Sequence, residues 1–260
     1  MRVLHLSQVF DSTRAESEDS IFSIPVGLPR DISPVRELTI QASNILDAQL
    51  EMIAACAHLD RFEYQHHNQL EWAVHRNYRC RPLHPALLLQ NSLRELRLNG
   101  IGATSWFEDD NEDGVIYADD VREPKAEAWF GSLVEFVALR DLRMPLRNLL
   151  DSTDGKEPNM ALAEILPPGL EVLVLRKLDF IEYSMHQEQL KHLLGVREPN
   201  FPGLRNILLQ PVQMEAAHGM ECPKSHSYWR IPKHAEVAFA GIRSICAHRG
   251  VEFGFFDGGD

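Results

Sequence analysis

Apolar residues recur along the whole chain in one short pattern, apolar-x-x-apolar-x-apolar, in which the positions marked x are mostly polar. The last two apolar residues of the pattern alternate with polar ones, which is typical of a strand that buries one face. Eight copies start 24 to 47 residues apart, at Met1/Leu4/Leu6, Val35/Leu38/Ile40, Leu59/Phe62/Tyr64, Leu93/Leu96/Leu98, Val134/Val137/Leu139, Leu170/Leu173/Leu175, Leu204/Ile207/Leu209 and Val251/Gly254/Phe256. The pattern predicts a repeat array with one strand in each copy.

Segments between the copies have the three-to-four-residue spacing of helices with one apolar face. They include 46–57, 160–166, 185–194 and 238–246. Gly250 follows the last of these segments and is expected to adopt a left-handed conformation at the end of the helix. Strand–helix units repeated in one direction predict an α/β fold, a curved solenoid with parallel strands on its concave face and helices on its convex face. Residues 1–260 are therefore predicted to form one domain of irregular repeats.

This pattern resembles the leucine-rich repeat family, and the long, uneven repeats are most similar to the repeat region that follows an F-box in many fungal proteins. The motif Leu-x-x-Leu-x-Leu carries the resemblance, and Leu-Arg-Glu-Leu-Arg-Leu at 93–98 parallels Val-Arg-Glu-Leu-Thr-Ile at 35–40. The resemblance implies a non-catalytic protein that binds a partner on its concave sheet and recognises substrates for a ubiquitin ligase of the Skp–cullin–F-box type. Where the family has Asn or Cys after the strand, so that a ladder of polar side chains is expected, this chain has Val9, Ile101, Leu142, Leu178 and Val212. The ladder is therefore expected to be missing.

An F-box itself is not visible in the sequence. Leu28-Pro29-Arg30-Asp31 is superficially similar to the Leu-Pro opening of an F-box, but it leads directly into the strand expected at Val35 rather than into a set of helices. A Skp-type adaptor is therefore expected as a partner only if an F-box lies upstream of Met1.

The net charge of −12 comes largely from an acidic insertion at about 104–128. Seven acids and no bases fall within residues 108–120. The rest of the chain has no dense stripe of Lys and Arg, so nucleic acid, which binds through neutralisation of its phosphates, is not expected as a partner.

The apolar runs and the cysteines bear on the cellular location of the protein. No apolar run approaches the roughly eighteen residues that span a bilayer, so no membrane association is expected. The four cysteines are far apart and form no C-x-x-C pair. This argues against a disulfide framework and favours a reducing compartment, the cytoplasm or the nucleus.

One motif in the insertion offers an alternative function. Asp109-x-Asn111-x-Asp113-Gly114, followed by Asp120, nearly fits the spacing of a calcium-binding loop, in which oxygen ligands surround the ion and glycine makes the bend. Its last ligand is Asp120 instead of the longer Glu, and no long amphipathic helix flanks the motif. A calcium-regulated binding module using 109–120 is one hypothesis, and an acidic surface loop between two repeats is the other.

Other candidate chemistry is weaker. Two groups of histidines and cysteines, within 66–84 and 218–226, lack a recognised zinc spacing and are interpreted as solvated loop residues, so no metal or other cofactor is expected. Cys56 and Cys246 lie on apolar helix faces and are interpreted as core residues. No phosphate-binding loop, nucleophile elbow or histidine–carboxylate motif occurs, so the chain is predicted not to be an enzyme. An enzyme of unknown class stays open as a further alternative, because convergent catalytic triads leave no fixed sequence order.

Side chains that alternate with the apolar positions of each strand are expected to point out of the concave surface. This places Glu37, Arg61 and Glu95 in one row across the strands, and Glu63 with Arg97 in another. Such exposed pairs of opposite charge set the register of the strands more than they stabilise the fold.

The C-terminal strands carry apolar residues at the same outward positions, which indicates a site for a protein partner. The predicted site consists of Phe136, Arg140, Val172, Val174, Arg176, Leu208, Gln210, Phe253 and Phe255. Two alternatives stay open. In one, a long connection such as 215–233 or 143–160 covers these strands and makes the patch ordinary core. In the other, the fifth strand has the register Leu133/Phe136/Ala138 instead of the favoured Val134/Val137/Leu139, which turns Phe136 inward.

Overall fold

The computed structural model describes residues 2–9, 29–42, 47–66, 80–99, 129–150, 158–178, 183–211 and 233–256. Its strands are β1 Val3–Val9, β2 Glu37–Ala42, β3 Arg61–His66, β4 Glu95–Asn99, β5 Asp141–Pro145, β6 Val172–Leu178, β7 Asn206–Pro211 and β8 Glu252–Phe255. Its helices are α1 Asp47–Ala55, α2 Leu83–Leu88, α3 Leu146–Leu149, α4 Leu162–Ile165, α5 Tyr183–Gly195, α6 Arg197–Asn200, α7 Lys233–Ala238 and α8 Ala240–His248.

The eight strands form one open sheet in which the spatial order is the chain order, β1 to β8. Every neighbouring pair is parallel, so the chain crosses back along the sheet between successive strands. The prediction of an α/β fold with a parallel sheet is confirmed. The helices predicted within 46–57, 160–166, 185–194 and 238–246 correspond to α1, α4, α5 and α8. Gly250 has the expected positive φ, at 64°.

One face of the sheet packs against the helices and forms the hydrophobic core. The buried strand residues are the alternating apolar ones, such as Leu38 and Ile40 in β2 and Phe62 and Tyr64 in β3. They belong to one cluster with helical residues such as Ile53 of α1. Complete burial of an aliphatic or phenyl side chain stabilises a fold by about 1.5–3 kcal/mol. The strands and helices therefore stabilise one another through this shared core.

The fifth strand begins further along the chain than the sequence pattern predicts. Val134 and Val137, the favoured core residues of this strand, are 44% and 66% exposed, and β5 starts only at Asp141. The copy of the motif that forms β5 is Leu139/Leu142/Met144, whose three side chains are fully buried. Neither register considered for this strand forms β5, although the alternative correctly turns Phe136 inward, where it is buried.

The segment 133–139 forms two successive turns instead of a strand. Phe136 lies between these turns and is only 4% exposed. Its ring centroid is 5.4 Å from that of His84 on α2 and 6.2 Å from that of Phe130. Gly131 permits this packing, because it has a φ of 117° and a Cβ there would come within 2.8 Å of His84. The prediction that Phe136 lies on the partner-binding face is wrong, since its ring is part of the core.

The last strand is shifted by one residue from its predicted register. Phe253 pairs with Ile207 and Phe255 pairs with Leu209, and both of these β7 residues are in the core. Phe253 and Phe255 therefore point toward the helices, where the ring centroid of Phe239 is 6.4 and 6.3 Å from theirs. The prediction that they lie on the opposite face is wrong, because the aromatic residue between α7 and α8 provides a packing site for both rings.

A buried glutamine links two successive strand–helix units. Gln90 is only 6% exposed. Its Nε2 donates to the Ile53 carbonyl at 2.9 Å, and its Oε1 accepts from the Leu59 amide at 3.4 Å. The Ser92 hydroxyl donates to the Leu59 carbonyl at 3.0 Å. Polar side chains of Gln90 and Ser92 thus satisfy buried backbone groups between β2 and β4.

Candidate interaction surface

The strand side chains that alternate with the core residues form a second face, which we call the charged face. Strand register arranges them in rows that cross the sheet. The first row is Val3, Glu37, Arg61, Glu95, Asp141, Val172, Asn206 and Glu252. The second row is His5, Thr39, Glu63, Arg97, Arg143, Val174, Leu208 and Gly254. The predicted alignment of Glu37 with Arg61 and Glu95, and of Glu63 with Arg97, is confirmed.

Glu63 lies at the centre of a buried polar network on β3 and β4. Its side chain is 5% exposed and accepts hydrogen bonds from Arg61 at 3.0 Å and from Gln65 at 2.8 Å. Burial alone would raise the pKa of Glu63. The hydrogen bonds from Gln65 and Arg61, together with the charges of Arg61 and Arg97, outweigh burial and lower that pKa. Arg61 also lies 3.7 Å from Glu95, so the network joins two strands.

The lowered pKa of Glu63 makes the stability of the fold depend on pH in the acid range. The ionised carboxylate stabilises the fold above the ordinary pKa of 4.5, and this stabilisation is lost as the pH falls through the lower folded-state pKa. Glu63→Gln is therefore expected to flatten the dependence of the unfolding free energy on pH, measured by urea titration between about pH 3 and 6. Glu188→Gln, on the exposed surface of α5, is the matched control. A Glu63→Gln curve parallel to that of the wild type would contradict this role.

The neighbouring strands β4 and β5 carry charges in the same order. Arg97 lies 3.3 Å from Glu95 in β4, and Arg143 donates hydrogen bonds of 3.0 and 2.9 Å to Asp141 in β5. Because the strands are parallel and in register, Glu95 lies opposite Asp141 and Arg97 lies opposite Arg143. Like charges thus lie side by side at this junction, whereas opposite charges lie side by side between β3 and β4.

The charged face becomes apolar toward β6 and β7. Val172 and Leu208 are half-buried, and Val174 is 1% exposed. Arg176 is 3% exposed, and its guanidinium lies 5.8 Å from the ring centre of Phe256, within the range of a cation–π contact. The prediction of an openly exposed apolar patch is therefore wrong at Val174. Val172 and Leu208 are the partly accessible aliphatic groups of this region.

The structure brings five of the nine predicted partner-binding residues together on the charged face, namely Val172, Val174, Arg176, Leu208 and Gln210. The other four lie elsewhere. Phe136 belongs to the core beside α2, and Phe253 and Phe255 are partly buried and pack against the core beside α8. Arg140 precedes β5, at the end of the sheet where the strands begin, and its guanidinium is 3.8 Å from Glu171. The prediction that Arg140 flanks an apolar patch is therefore wrong, because its side chain lies beside Glu171, the residue that directly precedes β6.

Sequence reasoning missed Asp141, Arg143 and Phe256 on the charged face. A signal for the first two is present, because Leu-Arg-Asp-Leu-Arg-Met at 139–144 matches Leu-Arg-Glu-Leu-Arg-Leu at 93–98 in residue type at every position. Phe256 follows β8 directly, and its amide donates to the Leu209 carbonyl. Its position depends on the register of β8, for which the local sequence offers two choices.

The described cysteines are structural. Cys56, Cys80 and Cys246 are buried and form no disulfide, and the interpretation of Cys56 and Cys246 as core residues is confirmed. Desolvation raises the pKa of Cys80 to about 12 and that of Cys246 to about 11. Both thiols are therefore protonated at neutral pH, which makes them poor nucleophiles.

Several candidate ligand sites fall outside the described residues. They are the acidic insertion at 104–128, with its calcium-loop motif at 109–120, and the histidine group within 218–226. Within the described ranges, no group of three or more His, Cys, Asp and Glu side chains could hold a metal ion. None of the described helices combines the length and apolar composition needed to cross a membrane.

The charged face offers paired carboxylates and guanidiniums beside partly accessible aliphatic groups. This combination is found in contacts between proteins. The residues of this face are the basis for assigning a function, since similarity to other proteins supplies none. No protein-family model matches the chain, and no curated protein or solved structure matches it significantly.

Proposed function

We propose that this protein is a leucine-rich-repeat-like solenoid that binds another protein on its charged face, which corresponds to the concave surface of such solenoids. The sequential order of eight parallel strands supports this fold, because stacked strand–helix units require one strand per unit in a common direction. The shared Leu-Arg-acid-Leu-Arg pattern of β4 and β5 supports the repeat itself. A non-catalytic scaffold is the function that fits best.

The observation that carries this proposal is the composition of the charged face at the boundary between β5 and β6. Asp141 lies opposite Val172, and Arg143 lies opposite Val174. Leu208 continues the aliphatic row on β7. Protein interfaces commonly have an apolar centre in which arginine is enriched and a polar rim around it. This boundary has both parts in adjacent strands, β5 and β6.

The resemblance to F-box proteins suggests a more specific role, substrate recognition for a ubiquitin ligase of the Skp–cullin–F-box type. In that role the charged face holds the substrate, and an F-box outside residues 1–260 holds the Skp-type adaptor. The two surfaces are then separate, so a change on the charged face is expected to remove substrate binding and leave adaptor binding intact.

Leu208→Arg is expected to reduce partner capture at least about tenfold, equivalent to about 1.4 kcal/mol of binding free energy. The physical reason is that a long, charged side chain replaces an aliphatic contact near the centre of the proposed interface. Val237→Arg is the matched control, because Val237 lies on α7 and is 77% exposed. The measurement is affinity capture from cell extract by the tagged 260-residue chain, with the captured proteins quantified by mass spectrometry.

Circular dichroism establishes that both variants are folded before the comparison is made. Proteins that bind the wild type and Val237→Arg but not Leu208→Arg support the proposed site. Captured proteins that persist with Leu208→Arg, or that are lost equally with Val237→Arg, would contradict it.

A further inference from the structure

The junction between β4 and β5 carries two like-charge pairs on the charged face. Glu95 lies opposite Asp141, and Arg97 lies opposite Arg143. At the preceding junction, between β3 and β4, the charges that lie opposite each other have opposite signs. An exchange of Asp141 and Arg143 would make the second junction complementary as well, without any change in composition.

Like charges directly opposite each other in neighbouring strands destabilise a sheet. Water screens them only partly here, because the side chains of Arg97, Asp141 and Arg143 are 12%, 17% and 21% exposed. The ion pairs within each strand, 3.3 Å in β4 and 2.9 Å in β5, offset part of the repulsion. Two arginines therefore lie side by side in one row, and two carboxylates lie side by side in the neighbouring row. A partner with charges of both signs complements this arrangement.

We propose that this junction binds an extended segment of the protein partner that carries an acidic and a basic residue two positions apart. The inference rests on the proposed function and specifies the chemistry of the partner. The acidic side chain of the segment lies between the guanidiniums of Arg97 and Arg143. Its basic side chain lies between the carboxylates of Glu95 and Asp141.

The spacing of the sheet fits such a segment. Neighbouring strands are about 4.8 Å apart, so one carboxylate of the partner reaches both guanidiniums, whose planar N–H groups match carboxylate oxygens. Residues two positions apart in a strand are separated by about 6.6 Å, and an extended partner segment has the same spacing. Adjacent residues of an extended segment point to opposite sides. An acid and a base in adjacent positions therefore do not fit.

A selection of random short peptides on the immobilised 260-residue chain tests this inference. We expect peptides with an acid and a base two positions apart, in either order, to be enriched at least about tenfold over peptides with adjacent acid and base. The decisive variant is the exchange of Asp141→Arg with Arg143→Asp, which keeps the composition and the ion pair within β5 but removes both like-charge pairs. The enrichment is expected to disappear on this exchange variant.

The exchange variant is also expected to unfold at the same or a higher urea concentration than the wild type, because the repulsion between the strands is removed. A lower urea midpoint would overturn the inference, since the like-charge pairs would then serve the fold itself. A second variant, Asp141→Asn with Arg143→Gln, removes the same charges and keeps hydrogen-bonding side chains at both positions. The enrichment is expected to disappear on that variant as well.

A parallel selection on Leu208→Arg separates failure of this inference from failure of the proposed function. Peptides that bind the wild type and the exchange variant equally, but not Leu208→Arg, overturn the inference and leave the proposed function intact. Peptides that bind the wild type, the exchange variant and Leu208→Arg equally overturn both the inference and the proposed function. A selection without enrichment of the two-position spacing overturns the inference.

Discussion

Leu142→Ala is expected to lower the free energy of unfolding by about 2–5 kcal/mol, the usual cost of truncating a buried leucine. Leu142 is fully buried in β5, and its register partners in the adjacent strands, Leu96 and Leu173, are fully buried as well. The cavity left by the missing atoms cannot close, because hydrogen-bonded strands hold both neighbours in place. Val137→Ala is the matched control at a residue that is 66% exposed, and it is expected to change the free energy by less than about 0.5 kcal/mol.

Urea titrations of the two variants give both free energies under the same conditions. The comparison distinguishes the register of β5 from the one that the apolar pattern favours, in which Val137 is a core residue. Equal losses, or a larger loss for Val137→Ala, would contradict the position of β5 and with it the placement of Asp141 and Arg143 on the charged face.

Gln90→Ala is expected to cost about 1–3 kcal/mol of stability, because the buried Leu59 amide loses its partner and an unsatisfied buried group costs about that much. The Ile53 carbonyl loses the bond from Gln90 but keeps the one from the Cys56 amide at 3.2 Å. The bond to Leu59, at 3.4 Å, is long and therefore weak, so we expect a loss in the lower half of this range. Thermal or urea unfolding measures the loss.

Asn91→Ala, at the exposed neighbouring residue, is the matched control for Gln90→Ala and is expected to change stability by less than about 0.5 kcal/mol. A loss for Gln90→Ala that is no larger than that of the control would show that Gln90 does not link the two units.

The sequence predicts strands well where apolar residues occupy only every second position. The copy at 93–98 predicts β4 and the copy at 204–209 predicts β7, since the alternate positions in both are mostly polar or charged. The pattern fails at 133–139, where apolar residues occupy both the odd-numbered and the even-numbered positions. The alternation therefore cannot select which set of side chains faces the core. The packing of Phe136 beside His84 decides the local structure there, and residue spacing does not encode that contact.

The last strand shows the same ambiguity. Val251, Phe253 and Phe255 are apolar residues at alternate positions, and they compete with the motif copy Val251/Gly254/Phe256 for the register of this strand. Val251 is buried, but its amide donates to the Cys246 carbonyl at the end of α8, so it completes the helix rather than starting the motif. The contact of the two phenylalanines with Phe239, which precedes them by more than a helix in the chain, selects the register.

The candidate site is predictable only in part for a related reason. The rows from β2 to β4 follow from local alternation, and so do Val172, Leu208 and Gln210. The burial of Val174 and the contact of Arg176 with Phe256 depend on side chains from different strands. Such contacts require the full register of the sheet, so no single copy of the motif predicts them.

Hydroxyl-radical footprinting of the protein, alone and with its captured partner, tests the role of the charged face most directly, because it measures side-chain accessibility at each residue. Val172, Leu208 and Phe256 are half-buried in the free protein and are expected to be oxidised several-fold more slowly in the complex. Val237 and Leu89, which are 77% and 57% exposed away from the charged face, are expected to react at an unchanged rate. Slower oxidation of Val237 or Leu89, with unchanged rates on the charged face, would contradict the account.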